Sequence, residues 1–228
     1  DLAVARARGI DVVGIGALVQ RPLAALLTDP RIDRPRELSG KTVGVSGLPS
    51  DPAFLKAIVE ADGGDYDSIR QLTIGFKAVP AMVAKRIDAV PAFWNAEGVA
   101  LAERGVRVRQ FRVEDYGAPP YPEVVLIAMR KTIRQRPGDL RKALKAIAEG
   151  AEAVRADPGK AVDRVAQRAP GDDPELIRAQ LDAVAPLFTP PVRLDRDVLE
   201  RWADFDARIG LVDERPDVAE AFAFDLAP

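Results

Sequence analysis

The sequence contains no cysteine and no histidine. Their absence excludes disulfides, thiolate nucleophiles, zinc sites of the usual kind and every histidine-based triad. A thiol-free chain also suits an oxidising compartment. Asp, Glu, Lys, Ser and Tyr remain for catalysis, which shifts the reading towards binding. An excess of one charge is lacking too: 33 basic residues stand against 35 acidic ones, well mixed, for a formal net charge of -2. No basic stripe or acidic tail invites nucleic acid or an anionic membrane. No apolar run is long enough to span a bilayer, and there is no signal-peptide pattern. The chain opens on Asp1 and passes straight into LAVARARG, which reads as the tail of a helix, so an upstream segment is expected.

What is present centres on residues 41–64, KTVGVSGLPSDPAFLKAIVEADGG. Thr42 to Ser46 is β-branched and apolar, a buried strand, and Gly47, Leu48, Pro49 and Ser50 break it. Asp51 is placed as an N-cap, with Pro52 at the first helical position. Phe54, Leu55, Ile58 and Val59 share one face of the helix that follows, and Gly63-Gly64 stops it. A strand, a Gly/Pro/Ser loop and a helix start leave backbone N–H groups at the sheet's carboxyl end, where polar ligand groups bind. Most such units are nevertheless scaffold.

At 228 residues the chain can bury a real core and form one or two domains. Ile10 to Leu18 is a buried-strand pattern, and Leu23 to Leu27 a second one ending at Asp29-Pro30. Residues 31–40 are polar and read as a linker with one short helical turn, at a domain boundary. Gln71 to Gly75 is another strand, Val79 to Arg86 a short amphipathic helix, and Asp88 to Trp94 a strand whose Pro91 argues for an edge or an irregular end. Ala96 to Arg104 is helical. Val106 to Val113 alternates apolar and charged residues, as a half-exposed strand does. This alternation of strands and helices implies parallel βαβ units. Val124 to Met129 is a last strand. Helices are predicted from Pro137, Pro158, Pro174, Asp195 and Asp217, and the Trp202, Phe205, Ile209 stripe is a core face.

The fold class expected from this order is α/β, with two lobes. Residues 1–39 and 119–228 form lobe I, and 40–118 an inserted α/β lobe II. Polar crossings near Thr28 to Leu38 and Glu114 to Glu123 would join the lobes as a hinge around a cleft.

QRPL, SGKTVGVSGLPSD, RIDAVPAFWNAEG and VEDYGAPPYPEVVL, in that order, resemble the thiamine-pyrimidine-precursor (formylaminopyrimidine) binding proteins of ABC importers. These belong to the type II periplasmic solute-binding class, which includes sulfonate, taurine and nitrate binders. The similarity runs over almost the whole chain and is strongest from Gln20 to Leu126. The resemblance implies a two-lobed fold that closes over an aminopyrimidine and hands it to an ABC permease, without catalysis, metal or cofactor. It implies a periplasmic or extracellular location, with a lipid anchor in a preceding segment. The family's opening βα units have no counterpart before Asp1, so the first lobe is expected to lack them. Self-association is one way to complete it.

Ten residues are candidate ligand contacts. Trp94 could stack on a flat heteroaromatic ring, worth roughly 0.5–1.5 kcal/mol beyond area burial, or could pack in the core. Glu97 could accept hydrogen bonds from ring amines, or be a first-turn helix charge. Asn95 is a ligand contact or an N-cap. Tyr116 and Tyr121 lie in the second crossing as cleft lining or as cover for a core edge. Glu123 could reach the cleft or start the next strand. Gly47, Pro49 and Ser50 offer backbone N–H groups and a hydroxyl, and Gln20 ends a strand of the other lobe. Asp88, at the start of its strand, reads as the holder of the preceding turn.

Two other functions share this fold. Thiamine pyrimidine synthases use a Lys-bound pyridoxal phosphate, a histidine and a cysteine-rich stretch, where this chain reads Pro119-Pro120-Tyr121-Pro122-Glu123. A binder of sulfonate, taurine or nitrate would instead place Arg or Lys in the cleft and leave Trp94 without a stacked ring.

Overall fold

The computed structural model describes residues 1–226 and divides into two compact units, one of Asp1–Pro22 with the chain from Pro119 on, the other of Leu23–Ala118. The chain begins with α1 (Leu2–Ala7) and β1 (Val12–Val19). β1 is apolar at nearly every position and almost wholly buried, as its lack of alternation predicts.

The second unit contains β2 (Ala24–Thr28), β3 (Thr42–Val45), α2 (Ser50–Ala61), β4 (Arg70–Thr73), α3 (Ala78–Val83), β5 (Ala89–Phe93), α4 (Val99–Glu103) and β6 (Arg109–Arg112). Its five strands form one sheet in the order β4-β3-β5-β2-β6. β3 runs parallel to β4 and β5, whereas β2 is antiparallel to both β5 and β6. The sheet is therefore mixed, where all-parallel units were expected. Only a short 3-10 turn, Pro35–Leu38, lies between β2 and β3, and apolar periodicity carries no information on strand direction. Leu26 and Leu27 of β2 are 1% and 0% exposed, so this strand lies deep in the second unit. Residues 31–40, read as a linker at a boundary, belong to the same unit. Ile32 and Leu38 are buried there, and Arg34 forms an ion pair with Asp62 just beyond α2.

Pro91 is not on an edge, because β5 lies between β3 and β2. β3 meets β5 at Val43 and Ala89, so Pro91 sits past that join, where the strand needs no donor towards β3. The start of α2 also differs from expectation. The helix begins at Ser50, and the Asp51 carboxylate reaches back to accept the Ser46 backbone N–H at 2.5 Å. Asp51 thus closes the loop between β3 and α2 rather than capping the helix from outside it.

In the first unit β1 pairs antiparallel with β7 (Glu123–Met129). Then come α5 (Arg130–Gln135), which the sequence reading did not separate, α6 (Pro137–Ala156), α7 (Pro158–Arg168), α8 (Pro174–Val184), α9 (Arg196–Arg208) and α10 (Val218–Ala221). α6, α7 and α8 each start on proline, whose missing N–H is not needed there. Asp157, Asp173, Asp195 and Asp217 accept backbone N–H groups at the starts of α7, α8, α9 and α10. Leu199 and Phe205 of α9 are buried, and Trp202 meets the Phe222 ring edge-on at 5.5 Å, so the expected stripe is a core face. Among the described residues no helix is long and apolar enough to cross a membrane.

Candidate functional site

Strand directions collect several loops of the second unit at one place. β3, β4 and β5 are mutually parallel, and β6 runs with them because both β5 and β6 oppose β2. All four therefore finish at the same end of the sheet, the end at which open α/β sheets take ligands. Gly47, Pro49 and Ser50 follow β3 there, Phe76 follows β4, Trp94 and Asn95 follow β5, and Arg112 closes β6.

The most distinctive local structure at this end is a single turn of π-helix, Trp94–Gly98, between β5 and α4. Such wide turns insert a residue into the helical ladder and recur at functional sites. The Trp94 N–H donates to the Leu23 carbonyl at 3.1 Å, which ties the turn to the start of β2. Glu97 folds back, and its Oε2 accepts the Phe93 N–H at 3.0 Å. One carboxylate oxygen is thus committed to the turn. Asn95 lies inside the π turn and does not cap α4, which starts at Val99. Its Oδ1 is buried and has no hydrogen-bond partner in the structure. An acceptor stranded in this way costs about 1–3 kcal/mol unless something donates to it.

Trp94 packs in part against the core, the second of the two roles weighed for it. Its ring packs against the cluster that includes Leu27, Val90 and Leu101, and the Arg112 guanidinium lies over it, 4.2 Å from the ring centre. A flat ligand seeking that face of the indole meets the guanidinium first. Gly47 adopts φ +97°, the left-handed conformation glycine tolerates, and carries the chain from β3 towards Pro49, which precedes α2, and Ser50, its first residue.

The remaining candidates make contacts within their own units. Tyr116 meets Phe111 edge-on at 6.1 Å. Burial, with the charges of Asp62 and Asp115, raises its hydroxyl pKa. Asp62 follows the last residue of α2, so Tyr116 belongs near the opposite end of that helix from Ser50. In the first unit Tyr121 is 4% exposed and stacks on Phe205 at 6.3 Å. Glu123 begins β7 opposite Val19. Gln20 Nε2 donates to the carbonyls of Ala17 at 2.8 Å and Arg193 at 3.2 Å, which braces its own unit.

Two residues at the carboxyl end of the second unit's sheet were missed. Arg112 is the last charged residue of the alternating VRVRQFRV run, where charged positions read as a solvated face. Phe76 is 86% exposed, an unusual position for an aromatic ring on a folded surface, and GFK gives no periodic signal. Among the described residues no cluster of acidic side chains could hold a metal ion.

Comparison with known proteins adds the following. The profile of the NMT1/THI5-like family matches residues 1–161. A formylaminopyrimidine-binding protein from Halalkalibacterium halodurans is 32% identical over 166 residues, covering 72% of this chain and 50% of that protein. The chain therefore spans half the length of that relative. Among solved structures, the alkanesulfonate-binding protein SsuA from Xanthomonas axonopodis pv. citri, bound to MOPS, aligns with a TM-score of 0.75 at 19% identity, over 96% of this chain and 76% of its own. The desulfurization enzyme DszB, in complex with biphenyl-2-sulfinic acid, aligns at 0.61 and 14% identity, over 95% of this chain and 78% of its own. The fold is thus the mixed α/β fold of SsuA-type binding proteins, which also serves an enzyme.

Proposed function

Since the chain belongs to the NMT1/THI5-like family, we propose that it is a solute-binding component of an ABC importer, taking a thiamine pyrimidine precursor at the carboxyl end of the second unit's sheet without catalysis. The buried Asn95 oxygen without a donor carries this reading. An exocyclic amine or a ring N–H of an aminopyrimidine donates to such an acceptor, and recovers a hydrogen bond that the unliganded protein forgoes. Glu97 offers its other carboxylate oxygen on the same turn, and a charge-assisted bond there contributes about 1.5–3 kcal/mol. Phe76, Leu48 and Phe93, all exposed apolar side chains at this end, give a flat ring surface to lie against. Its partner is an ABC permease of the membrane, and the protein itself works in the periplasm or outside the cell.

A second reading, a sulfonate or similar anion as solute, is favoured by the Arg112 guanidinium over Trp94. Calorimetric titration with formylaminopyrimidine, with taurine and nitrate as controls, separates the two. Saturable binding of the pyrimidine that weakens about tenfold or more in Asn95→Ala supports the first reading. Binding of taurine alone selects the second. A protein that melts cooperatively yet gives no saturable heat with the pyrimidine sinks the first.

A further inference from the structure

The second unit holds a cation that the aminopyrimidine reading leaves unused. Arg112 is the last residue of β6, exposed, and among the described residues it makes no ion pair. Many arginines of this chain are committed to carboxylates: Arg31 to Asp29, Arg34 to Asp62, Arg109 to Asp33, and Arg215 to Glu200 and Asp204. Arg112 instead has its guanidinium 4.2 Å from the centre of the Trp94 ring. Contact with an aromatic face uses the flat of the guanidinium and leaves its in-plane N–H fork to other acceptors. That fork matches the paired oxygens of a phosphate, sulfonate or carboxylate, which it binds bidentately. Sheet register puts this group close to the π turn. Ala25 of β2 lies between Ala92 of β5 and Arg112 of β6, and Trp94 and Asn95 follow two and three residues after Ala92.

We infer that Arg112, held on Trp94, is an oxyanion-recognition group, and that the solute carries an anionic substituent as well as the amine that Asn95 receives. Trp94 is then a positioning residue, whose ring fixes the guanidinium instead of stacking on the solute. The inference deepens the proposed function and rests on its placement of the site. The solute class becomes an aminopyrimidine bearing a phosphate, sulfonate or carboxylate, which a neutral pyrimidine only partly satisfies.

The test uses a matched pair of probes, hydroxymethyl-aminopyrimidine and its phosphate monoester, with taurine as a third, titrated into the full chain. The monoester is expected to bind at least about tenfold more tightly than the alcohol at low salt, with the preference shrinking as salt rises. In Arg112→Gln that preference falls to about twofold or less. Arg112→Lys, which keeps the charge and loses the fork, retains only part of it. Trp94→Phe keeps the preference and Trp94→Leu loses it, with thermal melts confirming that both variants fold. Equal binding of alcohol and monoester overturns the inference, and so does a preference that survives Arg112→Gln. If neither pyrimidine binds but taurine does, in an Arg112-dependent way, the pyrimidine reading fails and the oxyanion group stands. If none of the three binds, the oxyanion assignment falls as well.

Discussion

Asp88 and Thr42 are joined twice: the Thr42 N–H donates to the Asp88 carboxylate at 2.8 Å, and the Asp88 N–H returns a bond to the Thr42 carbonyl at 2.8 Å. The Asp88 carbonyl also accepts the Asp29 N–H at 2.8 Å, so one residue fastens the end of β2, the start of β3 and the start of β5. Asp88→Ala is expected to destabilise the protein by about 1.5–3 kcal/mol, because the Thr42 N–H loses a charged acceptor. Asp88→Asn loses less, since an amide oxygen still accepts. Urea unfolding curves measure both, and equal stability of Asp88→Ala and the parent would remove Asp88 from this role.

Gly14 of β1 is the point at which Phe222 approaches the first unit's strand pair. A Cβ added at Gly14 would come within 2.6 Å of Phe222 Cε1 and 3.2 Å of Val125 Cγ1. Phe222 is itself held edge-on by Trp202, so its ring has little freedom to retreat. Gly14→Ala is predicted to lower stability by about 1–3 kcal/mol through overpacking. Phe222→Leu in the same chain should restore part of that loss, a coupling that a double-mutant cycle in urea measures directly.

Much of this architecture is legible locally. The β-branched runs of β1 and β3, the prolines opening α6, α7 and α8, and the aspartates capping α7 to α10 act within a turn or a strand of themselves. Sequence neighbours therefore suffice to place them. The direction of β2 was not legible, because it depends on which strands it joins, β5 and β6, more than sixty and eighty residues away. Nor was the commitment of Asp51 to the Ser46 N–H, since an Asp-Pro pair at a helix start reads as a cap whichever amide it serves. In the candidate site the WNAEG turn was found through the family resemblance. Its π geometry, the stranded Asn95 oxygen and the Arg112 contact are products of the sheet's register. A charged residue on an alternating strand carries no mark that an indole lies beneath it.

Glu97 permits a separation of structure from recognition. Its Oε2 accepts the Phe93 N–H at 3.0 Å, so removing the side chain should loosen the π turn whether or not a solute is present. Glu97→Ala is expected to cost about 1–2 kcal/mol of stability, and Glu97→Gln less than about 0.5 kcal/mol, because the amide oxygen keeps the bond. Any loss of aminopyrimidine affinity in Glu97→Gln then reports the charge alone. Thermal melts and calorimetry on the same samples give both quantities, and an unchanged affinity in Glu97→Gln would confine this residue to the turn.

Asp206 of α9 gives the first unit a pH dependence whose sign is unusual for an aspartate. It is 2% exposed, and burial pushes its pKa up from 3.8 to about 7, with the nearby Glu123 carboxylate adding to the rise. The folded state therefore holds a proton that the unfolded chain releases near pH 4. Below that value both states are protonated and the group contributes nothing. As pH climbs from about 4 to about 7 the folded state forgoes ionisation that the unfolded state gains, so stability falls, by of the order of 4 kcal/mol in all. Above pH 7 the dependence flattens. Asp206→Asn, which keeps the volume and cannot ionise, should unfold with a midpoint that stays level across this window and exceeds that of the parent at pH 8. Urea unfolding at pH 5, 6, 7 and 8 provides the comparison, and a parent protein whose stability rises over that range would mean that Asp206 ionises in the fold as an ordinary carboxylate.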